Sequence, residues 1–151
     1  MSAEIATNRK ALRDYHILDR LEAGVVLTGT EIKSIRAGFI NAMGAFARIE
    51  NGEAFLYGVD IKPYERASHE QHEPKRARKL LLNRKEIDRL FGEVTVQGRT
   101  LVALRFYWKN GRVKIELGIG KGKVAADKRE DLKKKAVERD LQRELSRVNR
   151  R

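Results

Sequence analysis

Apolar and polar residues alternate along much of this chain with the two-residue period of β-strands. Val113, Ile115, Leu117 and Ile119 alternate with Arg112, Lys114 and Glu116, which predicts a strand with one wet face. The long run at 101–108 predicts its partner, joined by a turn at Lys109-Asn110-Gly111. Asn51-Gly52 marks a second hairpin between strands at 46–50 and 53–61, because Asn-Gly suits the tight turn that matches strand twist. Residues 15–27, 79–82 and 94–96 read as further strands, with a turn at Gln97-Gly98.

Two helices interrupt the strands. Thr30 is the expected cap of the first, with Ile32 and Ile35 inward, Lys33 and Arg36 outward, and Gly38 as its stop. Asn83 and Glu86 form a capping-box pattern that opens the second, through Ile87, Leu90 and Phe91 to Gly92. Residues 1–7 show no pattern and read as a flexible N-terminus. Residues 63–78 form a polar loop with Pro63, Pro74, His69 and His72. The expected fold is mainly β: a small antiparallel barrel over 8–120 with short flanking helices, closure removing exposed strand edges.

After Gly120 the pattern changes, and residues 121–151 form a separate basic tail. On a helix Val137, Leu141, Leu145 and Val148 make one narrow apolar stripe. Lys135, Arg139, Arg143, Arg147 and Arg151 lie roughly opposite, and Asp127, Glu130 and Asp131 sit near the start. Two readings stay open: a helix docked on the barrel with a solvated basic face, or a tail disordered when free that becomes helical against RNA. A stripe this narrow, without Trp or Phe, is a poor membrane anchor.

Charge sharpens the picture. The chain carries a formal net charge of +12 with a pI near 10.2, and residues 120–151 hold twelve Lys/Arg against six acids. Such a distribution points to a polyanion, nucleic acid first, since each cation near a phosphate releases a counterion.

Catalytic chemistry is not expected. Cysteine is absent, which excludes disulfides, thiolate metal sites and cysteine nucleophiles. The N-terminal residues lack the apolar stretch of a signal peptide, and no 18-residue apolar run occurs, so a soluble cytoplasmic protein is expected. His16, His69 and His72 form no ligand set and read as surface histidines. No nucleophile elbow, phosphate-cradling loop or carboxylate pair stands out. Gly118-Ile119-Gly120 resembles a piece of a dinucleotide fingerprint but ends an antiparallel strand.

Nucleic-acid chemistry has more candidates. Among Phe106, Tyr107 and Trp108, alternation buries one or two rings, Phe106 first, and leaves the rest for base stacking. Lys75, Arg76, Arg78 and Lys79 form a basic cluster, either solvated or in contact with phosphate. Asn8-Arg9-Lys10 is a basic arm or a plain flexible end.

Many short blocks, in one order along nearly the whole chain, resemble the SsrA-binding protein family of bacterial trans-translation, small protein B. They include Asn8-Arg9-Lys10-Ala11, Glu22-Ala23-Gly24, the run from Thr28 to Ser34, Arg36-Ala37-Gly38 and Pro63-Tyr64. The run from Arg78 to Leu82, Tyr107-Trp108-Lys109-Asn110, Lys121-Gly122-Lys123 and Asp127-Lys128-Arg129 complete the match.

The resemblance implies an oligonucleotide-binding (OB)-like barrel and no catalysis, cofactor or metal. It implies a barrel bound to the tRNA-like domain of transfer-messenger RNA (SsrA RNA) and carried with it to stalled ribosomes. The tail is then expected to enter the empty mRNA channel near the small-subunit decoding centre and fold there as a helix. Alanyl-tRNA synthetase and the GTP-dependent elongation factor are implied partners through the shared RNA.

Asn8, Glu22 and Leu81 match family positions associated with RNA binding; Arg9, Lys10, Lys75, Arg76, Arg78 and Lys79 complete the expected RNA-binding set. Asp127, Lys128 and Arg129 match the block associated with function on the ribosome, with Lys121, Lys123, Lys135, Arg139 and Arg143 as further tail contacts. An acid such as Glu22 on a basic face is expected to accept a hydrogen bond from the RNA or to orient a neighbouring cation. The chain departs from the family pattern at Val124 and Ala126, where a lysine and a ring are frequent, and at Gly44-Ala45-Phe46. The competing reading is a ribosomal protein or general RNA chaperone.

Overall fold

A computed structural model describes residues 2–63 and 72–123 together with Arg139. The elements run β1 (Ser2–Thr7), α1 (Arg9–Asp14), β2 (Tyr15–Val25), α2 (Gly29–Arg36), β3 (Ile40–Asn41) and β4 (Phe46–Glu50). They continue β5 (Glu53–Tyr57), β6 (Asp60–Ile61), β7 (Arg78–Leu81), α3 (Arg84–Val94), β8 (Arg99–Lys109) and β9 (Arg112–Gly122). Antiparallel pairing passes from β8 through β4, β5, β7, β2 and β9 and returns to β8. The result is the expected mainly β, OB-like barrel, with β3 and β6 paired outside the ring.

Both Asn-Gly turns form as expected. Asn51 and Gly52 have φ of 52° and 75°, and Asn110 and Gly111 have 51° and 73°, the left-handed pair a two-residue hairpin requires. The core is built from inward positions, among them Leu56, Leu80, Leu101, Phe106, Ile115 and Leu117, and α3 adds Leu90. A bulge at Leu104 decides which residues of β8 reach that core. Ala103 opposes Leu117 and Arg105 opposes Glu116, so Leu104 is the extra residue. Its insertion puts Ala103 and Phe106 inside and turns Leu104 outward with Val102, where Ala11 of α1 covers both. Gly118 makes this second layer possible: a Cβ there would lie 2.8 Å from Leu104 Cδ1 and 3.3 Å from Ile17 Cγ2.

Several expectations are corrected. Residues 2–7 are not a loose end: β1 pairs with β8 from Ser2 opposite Lys109 to Thr7 opposite Arg105. β4 uses β8 only at Leu101 and Val102, which leaves the same edge open further along, and β1 closes it. Thr28 rather than Thr30 caps α2, and Glu31 completes its capping box. α3 runs through Gly92 to Val94, whose half-buried side chain packs on the core, so residues 94–96 form no strand. Phe91, expected inward, is 55% exposed.

Gly58, at φ 75°, divides the predicted 53–61 strand into β5 and β6. The barrel extends to Gly122, taking Lys121 from the tail. His72 is buried rather than on the surface: Nε2 donates to the Ile61 carbonyl at 2.7 Å, and Nδ1 meets Thr30 Oγ1 at 2.9 Å. A carbonyl only accepts, so the proton sits on Nε2. His69 and the rest of 64–71 lie outside the described residues, as do 124–138 and 140–151 and the expectations placed on them.

Candidate nucleic-acid interface

Strand register brings sequence-distant residues onto one outer face. Tyr107 opposes Lys114, Lys114 opposes Gly24, and Gly24 opposes Leu81, a single rung across β8, β9, β2 and β7. The neighbouring rung is Arg105, Glu116 and Glu22. Gly24 keeps the middle of the first rung low. A Cβ there would stand 3.2 Å from Leu81 Cβ and 3.5 Å from Lys114 Nζ. Leu81 is 54% exposed, an apolar side chain on a charged face. Beside it lies a groove of about 290 Å³ lined by Leu81, Val26, Ile32, Trp108, Arg112 and Lys114. Arg36 places its guanidinium 5.7 Å from the Trp108 ring centroid.

Glu22 has partners within the protein. The Tyr107 hydroxyl donates to Glu22 Oε2 at 2.5 Å, and Lys109 Nζ lies 3.1 Å from the same oxygen and 3.3 Å from the other. The Tyr107 bond, with help from Lys109, holds the Glu22 carboxyl below its ordinary range against the opposing effect of burial. Burial and the bond to Glu22 push the Tyr107 phenol well above its ordinary value. Glu116 forms ion pairs with Arg20 at 3.0 Å and Arg105 at 2.8 Å. The acids of this face thus orient cations and a phenol.

Other predicted RNA-binding residues serve the fold. Asn8 is 1% exposed: its Nδ2 donates to the Ala103 carbonyl at 2.9 Å and the Ala45 carbonyl at 3.2 Å, while Oδ1 accepts from Ala11 N. It caps α1 and leaves Arg9 and Lys10 exposed there. Arg78 is likewise 1% exposed, which corrects the reading of a phosphate contact. Its Nε donates to Glu31 at 2.5 Å, and its Nη atoms donate to the carbonyls of Val59, Arg76 and Pro74.

Arg76 also binds Glu31, through Nη2 at 2.5 Å and Nε at 3.2 Å. Burial raises the Glu31 carboxyl, but bonds from Arg76, the Thr28 amide and Arg78 outweigh it and hold the group low. Of the basic cluster, Lys75 and Lys79 are exposed, with Lys79 Nζ 3.4 Å from Glu53.

Phe106 is buried as expected, and Trp108 packs partly on the core. Lys121 and Arg139 are exposed; Asp127, Lys128, Arg129, Lys135 and Arg143 lie outside the described residues. Sequence reasoning missed Glu31 as a buried anchor, although its capping-box spacing from Thr28 was visible, and missed Tyr107 as the partner of Glu22. Among the described residues no cluster of His, Cys, Asp or Glu can hold a metal ion, and no helix is long and apolar enough to cross a membrane.

The family model described as SmpB protein matches residues 5–147. The SsrA-binding protein of Carboxydothermus hydrogenoformans is 52% identical over 145 residues, covering 96% of this chain and 97% of that protein. The SsrA-binding protein of Enterococcus faecalis is 57% identical over 141 residues, with 93% and 92% covered. A solved structure described as "tmRNA-SmpB: a journey to the center of the bacterial ribosome" contains a chain similar at TM-score 0.67 and 47% identity, with 82% of this chain and 87% of that one covered.

Proposed function

The chain belongs to the SmpB family of SsrA-binding proteins, RNA-binding adaptors rather than enzymes, and from that membership we propose that it binds transfer-messenger RNA in trans-translation. The barrel grips the tRNA-like domain, with the outer rungs that hold Tyr107, Lys114, Leu81 and Glu22 as the gripping surface. Arg9 and Lys10 on α1 and exposed Lys75 and Lys79 add phosphate contacts. Arg76, Arg78 and Asn8 act one step removed, by holding the backbone in place.

The complex is delivered to stalled ribosomes. The tail, residues 123–151, is placed in the empty mRNA channel near the decoding centre, with Asp127, Lys128 and Arg129 at the contact. Alanyl-tRNA synthetase and the GTP-dependent elongation factor meet the protein through the shared RNA.

The observation that carries this reading is the meeting of Glu22 and Leu81 on adjacent rungs of one exposed face. Residues so far apart in sequence converge there beside Lys114 and Lys109, a mixture of apolar, hydrogen-bonding and cationic groups suited to a folded RNA read by shape. Sequencing the RNA that co-purifies with the full chain tests it. One tRNA-like species should dominate; recovery of mixed RNAs in proportion to abundance points to a general chaperone and defeats the proposal.

A further inference from the structure

The outer face of the β4–β5 hairpin takes no part in the surface described above. Ala47, Ile49, Ala54 and Leu56 pack on the core side, so Phe46, Arg48, Phe55 and Tyr57 stand outside. Phe46 and Tyr57 oppose each other with ring centroids 5.6 Å apart and planes 19° from parallel. The Arg48 guanidinium lies over both, 5.3 Å from the Phe46 centroid and 5.7 Å from that of Tyr57. The next rung is Arg48, Phe55 and Lys79, a ring between two cations.

Cross-strand packing explains Phe46 and Tyr57 against each other. It does not explain Phe55, whose neighbours in the rung are both charged. Three half-exposed rings interleaved with cations suit a ligand that has flat π faces joined by phosphates.

The position of the rings strengthens the match. On one side Lys79 lies two residues from Leu81 along the same outer face of β7. On the other, Phe46 shares a cleft of about 290 Å³ with Lys10 of α1. The rings therefore bridge the gap around the barrel between two sets of exposed cations. The acids Glu50 and Glu53 sit opposite each other at the turn end, occupied by the Tyr57 hydroxyl and Lys79 respectively.

We propose that this face is a stacking site for unpaired RNA bases, with Phe46, Phe55 and Tyr57 as the platforms and Arg48, Lys79 and Lys10 on the phosphates. Arg48, now lying on the ring faces, yields that place to a base and turns to the backbone. Its rings lie outside the rungs of the tRNA-like grip, with which the site shares Lys10 and Lys79.

The test compares the full-length chain binding an eight-nucleotide single-stranded RNA with binding to an abasic strand of the same length and charge. Phosphate contacts, those of the tail included, are common to both strands. The wild type should favour the base-bearing strand about tenfold or more, and Phe55→Leu and Tyr57→Leu should each remove most of that preference. Phe55→Trp combined with Trp108→Phe keeps a ring at 55 and leaves it the one indole of the chain; its binding should persist, and its fluorescence should be quenched by the base-bearing strand only.

No preference in the wild type, or an undiminished one in both leucine variants, overturns the proposal. So does equal quenching by the two strands, which covers the case of a leucine variant that fails to fold. Leu81→Glu should retain the preference, so that failure of the tRNA-like grip is told apart from failure of this site.

Discussion

Arg78 Nε lies 2.5 Å from Glu31 Oε2, and neither side chain reaches solvent: 1% of one and none of the other is exposed. The pair ties α2 to β7, and the remaining Arg78 donors reach carbonyls of the chain around β6 and β7. Removing one member leaves the other charged and buried without its partner, at a cost of about 3–5 kcal/mol. Glu31→Gln should therefore lower the melting temperature by roughly 6–20 °C for a chain of this size. Calorimetry of the variant checks it, and a melting temperature equal to the wild type's rules it out.

The same carboxylate gives stability an acid limb. Glu31 is held below its ordinary value of 4.5 in the folded protein, so the unfolded chain takes up a proton first as pH falls. Its contribution is complete above about pH 4.5 and declines as pH drops through the lower folded value. Thermal melts at stepped pH should be flat in this respect from neutrality to about pH 5 and fall below it. In Glu31→Gln that part of the fall should be missing; an identical acid limb in both proteins contradicts the assignment.

Glu22, Tyr107 and Lys109 form one unit, so their effects on RNA binding should not add. Glu22→Ala should weaken binding to the tRNA-like domain by about tenfold, the scale of one charge-assisted hydrogen bond. Tyr107→Phe should weaken it less, and the double variant should be no worse than Glu22→Ala by more than a factor of about two. Tighter binding by Glu22→Ala, the result of merely removing a negative charge near phosphate, is the contrary outcome.

Gly118 sits where Leu104 and Ile17 close over β9. Gly118→Ala should cost about 1–3 kcal/mol, the usual penalty for overfilling a packed site. Denaturant titration measures it. Adding Leu104→Ala should cost less in the Gly118→Ala background than in the wild type, because the clash is then relieved. Additive costs would show that Leu104 is not what the new methyl meets.

The hairpins at Asn51-Gly52 and Asn110-Gly111 were legible because a two-residue turn is a local event, decided by residues that adopt positive φ. The core positions of β9 were legible for a similar reason, since period-two alternation needs no knowledge of partners. β1 was not, because its six residues are ordered by a free stretch of the β8 edge a hundred positions away. The bulge at Leu104 escaped notice because Leu101 to Leu104 are all apolar and alternation says nothing within such a run.

The site divides along the same line. Glu22, Leu81 and the basic residues were visible as types, and their convergence on one face needed the register. Arg78 and Asn8 looked like surface chemistry because their side chains are polar; their burial depends on carbonyls of distant strands.

The outer β8–β9–β2–β7 face is the proposed place where the tRNA-like domain is held. The most direct test is titration of that RNA with Leu81→Glu against Val96→Glu, two exposed apolar positions given the same charge, one on the face and one after α3. Leu81→Glu should lose at least about tenfold in affinity with its melting temperature unchanged, while Val96→Glu binds like the wild type. Wild-type affinity in Leu81→Glu, or an equal loss in both variants, would contradict it.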